Sequence, residues 1–74
     1  MNSVTLIGTV EDSIDEGVFV LAVDQALVPV LIGPSHPSPA IGDRIVVEGA
    51  LRSGPADLRL EATSLHVLDH MLTI

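Results

Sequence analysis

Five short apolar runs alternate with turn-forming clusters along the chain. They cover residues 4–10, 18–23, 27–32, 45–51 and 58–68. No stretch repeats apolar residues at the three-to-four-residue spacing of an amphipathic helix, and each run has the length of a strand. Glycine, proline, serine and aspartate are concentrated between the runs, where they favour turns. The pattern predicts an all-β fold in which residues 1–74 form a single domain.

Five short strands in one small domain indicate a five-stranded Greek-key barrel of the oligonucleotide/oligosaccharide-binding (OB) type, which commonly binds single-stranded nucleic acid. Residues 11–17 are expected to form a hairpin loop that ends at Gly17, and Asp24 and Gln25 a tight turn. Residues 33–43 contain three prolines, which exclude a helix and predict an extended crossover.

Two features inside the strands predict local irregularity. Pro29 lacks the N–H that a central strand needs, so we expect it at an edge or a bulge. In the last strand the apolar positions change parity after Ala62, which predicts a bulge or bend between Ala62 and Ser64.

Phe19 shares its parity with Leu21, which predicts a core position.

Residues 17–23 and 26–32 are apolar at both parities. A strand that is exposed on one face normally carries polar residues there. Seventy-four residues are too few to cover these strands on both faces. We therefore expect a homodimer, a homotetramer or a permanent partner.

Composition limits the chemistry. The chain has ten carboxylates, three arginines, no lysine, no cysteine and a formal charge of −7, with one Phe and neither Trp nor Tyr. Such a charge repels other polyanions. Without cysteine, neither a disulfide nor a thiolate metal site can form.

No basic leader and no apolar run near the ~20 residues of a membrane span is visible, so we expect a cytoplasmic protein that does not enter the membrane.

Four segments in order, residues 1–8, 19–24, 41–52 and 60–69, resemble strands of the bacterial single-stranded DNA-binding (SSB) protein family. The resemblance implies the OB fold and oligomerisation, but it does not by itself imply DNA binding. The chain also departs from the pattern of this family at several positions. Ala26 and Ile32 stand where the family stacks bases on aromatic side chains, a proline-rich crossover replaces a helix, and the basic hairpin before the last strand is shortened to residues 53–57.

The candidate DNA site combines two groups of residues. Arg44, Arg52 and Arg59 would contact phosphates, while Ala26, Val28, Val30 and Ile32 would offer a flat apolar strip for base stacking. The alternative for the arginines is a set of surface ion pairs, Arg44 with Glu48 and Arg59 with Glu61.

Other chemistry is weaker. Glu11, Asp12, Asp15 and Glu16 are oxygen ligands for a hard cation, but they lack the spacing of a calcium loop, and a solvated turn is the better interpretation. His66 and His70 share a strand face and would need further ligands to hold zinc. No phosphate-binding loop or catalytic constellation is present, so we expect no enzyme, cofactor or metal.

Two functions follow. The first is a non-enzymatic module that binds single-stranded DNA. The second is an assembly subunit of a replication or recombination complex that has exchanged its DNA surface for a protein-binding one.

Overall fold

A computed structural model describes residues 3–33, 36–54 and 58–70, excluding the side chain of His70. Five strands form a closed barrel: β1 Ser3–Asp15, β2 Val18–Val23, β3 Ala26–Ile32, β4 Asp43–Ser53 and β5 Leu58–His70. Their order around the barrel is β1-β2-β3-β5-β4, and β4 returns to β1. Among the described strands, β3 and β5 form the one parallel pair. The predicted five-stranded OB barrel is therefore confirmed. The described residues contain no helix capable of crossing a membrane.

The first hairpin is longer and tighter than the sequence predicts. The segment expected to be a loop continues β1 as far as Asp15 and pairs with β2 across two bulges. Only Glu16 and Gly17 turn, with Gly17 in the left-handed region at φ 76°. The loop prediction is wrong because it relied on the polarity of these side chains. All of them from Glu11 to Glu16 point into solvent, and a strand edge tolerates them there.

The other turns and the crossover agree with the sequence. Asp24 takes φ 55° in the tight turn between β2 and β3. Pro29 precedes the short stretch of β3 that pairs with β5, so in the described barrel only β2 pairs with it. The crossover is not helical from residue 36 to residue 42, and Pro34 lies outside the described residues.

A buried aspartate anchors the end of this crossover. Asp43 is buried, and its Oδ2 accepts a hydrogen bond from the Ala40 N–H at 3.0 Å. The Gly42 N–H donates to the Val10 carbonyl at 2.8 Å. These bonds join the start of β4 to β1 and so help to close the barrel.

The predicted bulge in β5 is confirmed. Ser64 pairs with Glu48, but the next residue of β4, Gly49, pairs with Ala62. Thr63 is the extra residue, and its hydroxyl donates to the Glu48 carbonyl at 3.1 Å.

Among the described residues the hydrophobic core is aliphatic except for one ring, and the buried carboxyl group of Asp43 lies at the start of β4. Phe19 lies in the core as predicted. The core cluster consists of Val10, Phe19, Leu21, Val28, Val30, Ile32, Ile45, Val47 and Leu60.

Candidate functional site

The outer surface of the β2–β3 hairpin carries only apolar side chains. Register places them as three directly opposed pairs: Val18 with Leu31, Val20 with Pro29, and Ala22 with Leu27. We call these six residues the β2–β3 face. Leu27 is 64% exposed and Leu31 36% exposed. The residues that alternate with these six along β2 and β3 point into the barrel. This explains why both parities of the two strands are apolar.

A row of carboxylates runs along one side of this face. On β1, Asp12 pairs with Val20 and Asp15 with Val18. Glu11 and Glu16 flank them, and all four are exposed. These four residues form the acidic border. Two of the carboxylates also hold the local backbone, since Asp12 Oδ1 accepts from the Ser13 N–H and Asp15 Oδ1 from the Glu16 N–H.

Two arginines lie on the opposite side. Leu31 of β3 is level with Glu61 of β5, and continuing this register by two residues puts Arg59 level with Pro29. Arg52 of β4 pairs with Arg59. Arg52 Nε lies 3.2 Å from Glu61 Oε1 and Arg59 Nε lies 3.6 Å from Oε2. Arg52, Arg59 and Glu61 form the arginine border, which carries two positive charges and one negative charge.

The third arginine does not join them. Arg44 is level with Thr9 of β1 and Asp69 of β5, near the opposite end of β4. It lies eight positions before Arg52 in the chain, or roughly 25 Å away along an extended strand. The predicted ion pair between Arg59 and Glu61 is present, whereas Arg44 makes no ion pair with Glu48 in the described chain.

The predicted stacking strip points the wrong way. Val28, Val30 and Ile32 are 5%, 0% and 7% exposed and belong to the core. Ala26 is exposed at the beginning of β3. A base can stack only on a side chain that solvent reaches. A signal was available in the sequence: the tight turn pairs Val23 with Ala26, so even positions of β3 lie beside odd positions of β2, the side of Phe19.

A cleft of about 470 Å³ opens between the first turn and the crossover. Glu16 and His36 lie on its wall, and Ser38 Oγ accepts a hydrogen bond from the Gly17 N–H at 3.3 Å. No three His, Asp or Glu side chains in the described ranges come close enough to hold a metal ion. The candidate zinc ligands are His66 and His70, and the side chain of His70 lies outside the described part of the structure.

The position of the apolar face is informative because OB barrels use strands 2 and 3, with the adjoining loops, to bind oligonucleotides or oligosaccharides. Here that surface holds neither an aromatic ring nor a charge, and carboxylates line the β1 side. Phosphates approaching it would meet the acidic border and be repelled.

No family model matches this chain, and no curated protein matches it in sequence. Solved structures do resemble it. The dimeric N-terminal domain of PriB from Thermoanaerobacter tencongensis has a TM-score of 0.77 and 24% identity, over 93% of this chain and 98% of that one. The hypothetical protein ygiW from E. coli has a TM-score of 0.78 and 14% identity, over 90% of this chain and 75% of that one.

A third similar structure is the S. pombe Stn1–Ten1 complex, with a TM-score of 0.73 and 22% identity. The match covers 92% of this chain but 59% of that one, so this chain spans less than two thirds of its length. At these identities the similarity demonstrates a shared fold.

Proposed function

We propose that this chain is a non-enzymatic OB-fold assembly module that binds a protein surface through its β2–β3 face. The SSB resemblance suggests a replication or recombination complex as its setting. The observation that carries the proposal is the chemistry of that face. Six apolar side chains occupy the surface that OB barrels use for ligands, and they are bordered by four carboxylates.

Electrostatics support a protein rather than a DNA ligand. Single-strand binding draws on phosphate neutralisation by cations and on stacking worth about 1–3 kcal/mol per base. The described outer surface offers no aromatic ring for stacking, since Phe19 is buried. The two arginines nearest the face share Glu61, which offsets half of their charge.

The comparisons are compatible with assembly. One similar structure is described as dimeric and another as a complex. Their sequence identities are too low to transfer a partner to this chain, so the proposal depends on the surface itself.

A second candidate is weak binding of single-stranded DNA. The feature that favours it is the opposed pair Arg52 and Arg59 beside the β2–β3 face, together with the SSB resemblance. In this alternative the arginine border contacts phosphates while Leu31 and Pro29 contact bases. Arg44 would contribute little, because it lies at the other end of β4.

A titration with a fluorescently labelled thymine oligonucleotide distinguishes these functions. We expect no anisotropy change at tens of micromolar protein, in either low salt (about 20 mM) or physiological salt (about 150 mM), since non-specific DNA binders saturate at roughly micromolar levels in low salt. Micromolar binding that weakens steeply with salt would contradict the protein-binding proposal.

The matched control for any observed binding is the double variant Arg52→Ala, Arg59→Ala beside the single variant Arg44→Ala. Loss of binding in the double variant, with Arg44→Ala unaffected, would assign DNA contact to the arginine border. Such a result would establish the second candidate in place of the first.

A further inference from the structure

The β2–β3 face lies between borders of opposite charge. Reading across the barrel at one level, the order is Asp12, Val20, Pro29, Arg59 and Arg52. The acidic border carries four negative charges, and the arginine border carries two positive charges against one negative. The chain has three arginines in total, and two of them lie beside this apolar surface.

This charge order is self-complementary under one symmetry operation. If a second copy is rotated by 180° about an axis parallel to the strands, its face meets the first face with left and right exchanged. The acidic border of each copy then lies opposite the arginine border of the other. A twofold axis across the strands would instead place the acidic borders against each other. The favoured arrangement is the aligned packing that sheets commonly adopt.

The size of the surface sets the strength of such a dimer. Three rows of side chains on four neighbouring strands cover about 20 by 20 Å, or about 400 Å², from the ordinary strand spacings. A standard stable interface buries about 800 Å² on each partner. The barrel is also convex, which limits contact. A self-association in the micromolar range is therefore expected, rather than an obligate dimer.

The overall charge opposes association but does not exclude it. Each copy carries −7, so two copies repel at long range. At physiological salt the screening length is about 8 Å, which suppresses repulsion between distant charges more than attraction between groups in contact. The apolar pairs provide the main attraction, and the borders select the orientation.

We propose that the occupant of the β2–β3 face is a second copy of this chain, arranged about a twofold axis parallel to the strands. In this dimer Asp12 of each copy lies opposite Arg59 of the other. The inference rests on the proposed protein-binding function and specifies its partner. It places dimerisation on the surface that other OB barrels use for ligands.

The first test compares two equivalent charge insertions. Leu27→Glu places a carboxylate on the β2–β3 face, whereas Ile7→Glu places one on the outer side of β1, level with Val46 of β4 and beyond the residues of β1 that pair with β2. Both side chains are largely exposed, at 64% and 51%, so neither change should unfold the barrel. Sedimentation analysis should show the wild-type mass rising from 7.7 kDa towards twice that value as concentration increases.

We expect Leu27→Glu to raise the dimer dissociation constant by at least about tenfold, since it buries an unpaired charge, and Ile7→Glu to leave it within about threefold. A wild-type protein that is monomeric up to about millimolar concentration, weaker than ordinary non-obligate dimers, would overturn the inference. Equal effects of the two variants would also overturn it, because they would place association on another surface.

The second test reverses the border charges. Asp12→Arg and Arg59→Glu should each weaken the wild-type dimer by about three- to tenfold, and the double variant should recover most of the loss because it restores opposite charges across the seam. A double variant no tighter than the weaker single variant would refute the orientation. Circular dichroism confirms that each variant is folded.

These outcomes separate the inference from the proposed function. A monomer that also fails to bind the thymine oligonucleotide would end the dimer proposal and leave a different protein as the occupant. If the oligonucleotide binds and Leu27→Glu abolishes that binding, both the dimer proposal and the protein-binding proposal are wrong, because the β2–β3 face would then be a DNA-binding surface.

Discussion

At the scale of single residues, parity decides whether an apolar side chain packs inside the barrel or lies on its outer surface. Phe19 and Val20 are adjacent, yet the first is buried and the second contributes to the outer face. Val30 and Leu31 divide in the same way on β3. Composition is equally apolar on both sides of these strands, so residue type alone does not identify which side faces solvent.

A pair of identical substitutions tests this assignment. Val30→Ala should lower the free energy of unfolding by about 1.5–3 kcal/mol, because it removes two buried methyl groups and leaves a cavity. Val67→Ala, at a valine that is 44% exposed, should change it by less than about 0.5 kcal/mol.

Urea denaturation measures both values, at a protein concentration low enough to keep the chain monomeric. Equal destabilisation by the two variants would mean that Val30 is not an interior residue. The stacking strip predicted from the sequence would then regain support.

At the scale of elements, the β4–β5 pair depends on one close approach. Gly49 pairs with Ala62 beside the bulge, where a Cβ on residue 49 would lie 2.7 Å from the Ala62 Cα and even closer to the Glu61 carbonyl oxygen. Both neighbouring atoms belong to the backbone, so they cannot move aside as a flexible side chain can. The strand pair must shift to admit a methyl group.

Gly49→Ala should therefore destabilise the protein by about 1–3 kcal/mol, the usual cost of overpacking. Gly33→Ala is the matched control, since a Cβ at residue 33 meets no atom within 4 Å. Its effect should remain within about 0.5 kcal/mol.

Thermal or urea unfolding of the two variants gives the comparison. If Gly49→Ala were as stable as Gly33→Ala, the close approach of β4 to the bulge in β5 would be incorrect. The register shift at Thr63 would then need revision.

At the scale of the whole molecule, charge is distributed unevenly around the barrel. The acidic border occupies the β1 side of the β2–β3 face, the arginine border occupies the β5 side, and Arg44 lies at the far end of β4. The net charge of −7 describes none of this. The proposed dimer depends on this distribution, because an apolar strip separates the two borders.

The proposed dimer makes thermal stability depend on concentration. Mass action stabilises the folded chain when it associates, so over about a hundredfold increase in concentration we expect the melting temperature to rise on the order of 5 °C. Leu27→Glu should remove this dependence and Ile7→Glu should retain it. Differential scanning calorimetry provides the measurement, and a wild-type melting temperature independent of concentration would count against the dimer.

Much of the architecture was predictable from local signals. The five runs, the turn at Asp24 and the bulge between Ala62 and Ser64 each follow from residue types and from changes of parity along a few positions. The prolines likewise predicted a crossover without a helix. These features are local because they depend on backbone preferences and on the two-residue period of a strand.

The site depended on relations between distant segments. The register of β3 with β2 decides whether Val28 and Val30 face inward. The pairing of β4 with β5 decides that Arg52, and not Arg44, lies opposite Arg59. The sequence predicts a loop for the acidic segment because the sequence contains the polarity of its side chains but not its pairing with β2.

By itself, the sequence determined the number of strands, the turns between them and the OB type of barrel, since short-range preferences and alternation are written in neighbouring residues. Only the tertiary structure decided which apolar side chains are exposed and which charges border them. Closing the barrel brings together strands that are far apart in the chain, and a shift of one residue in their register would exchange inside for outside.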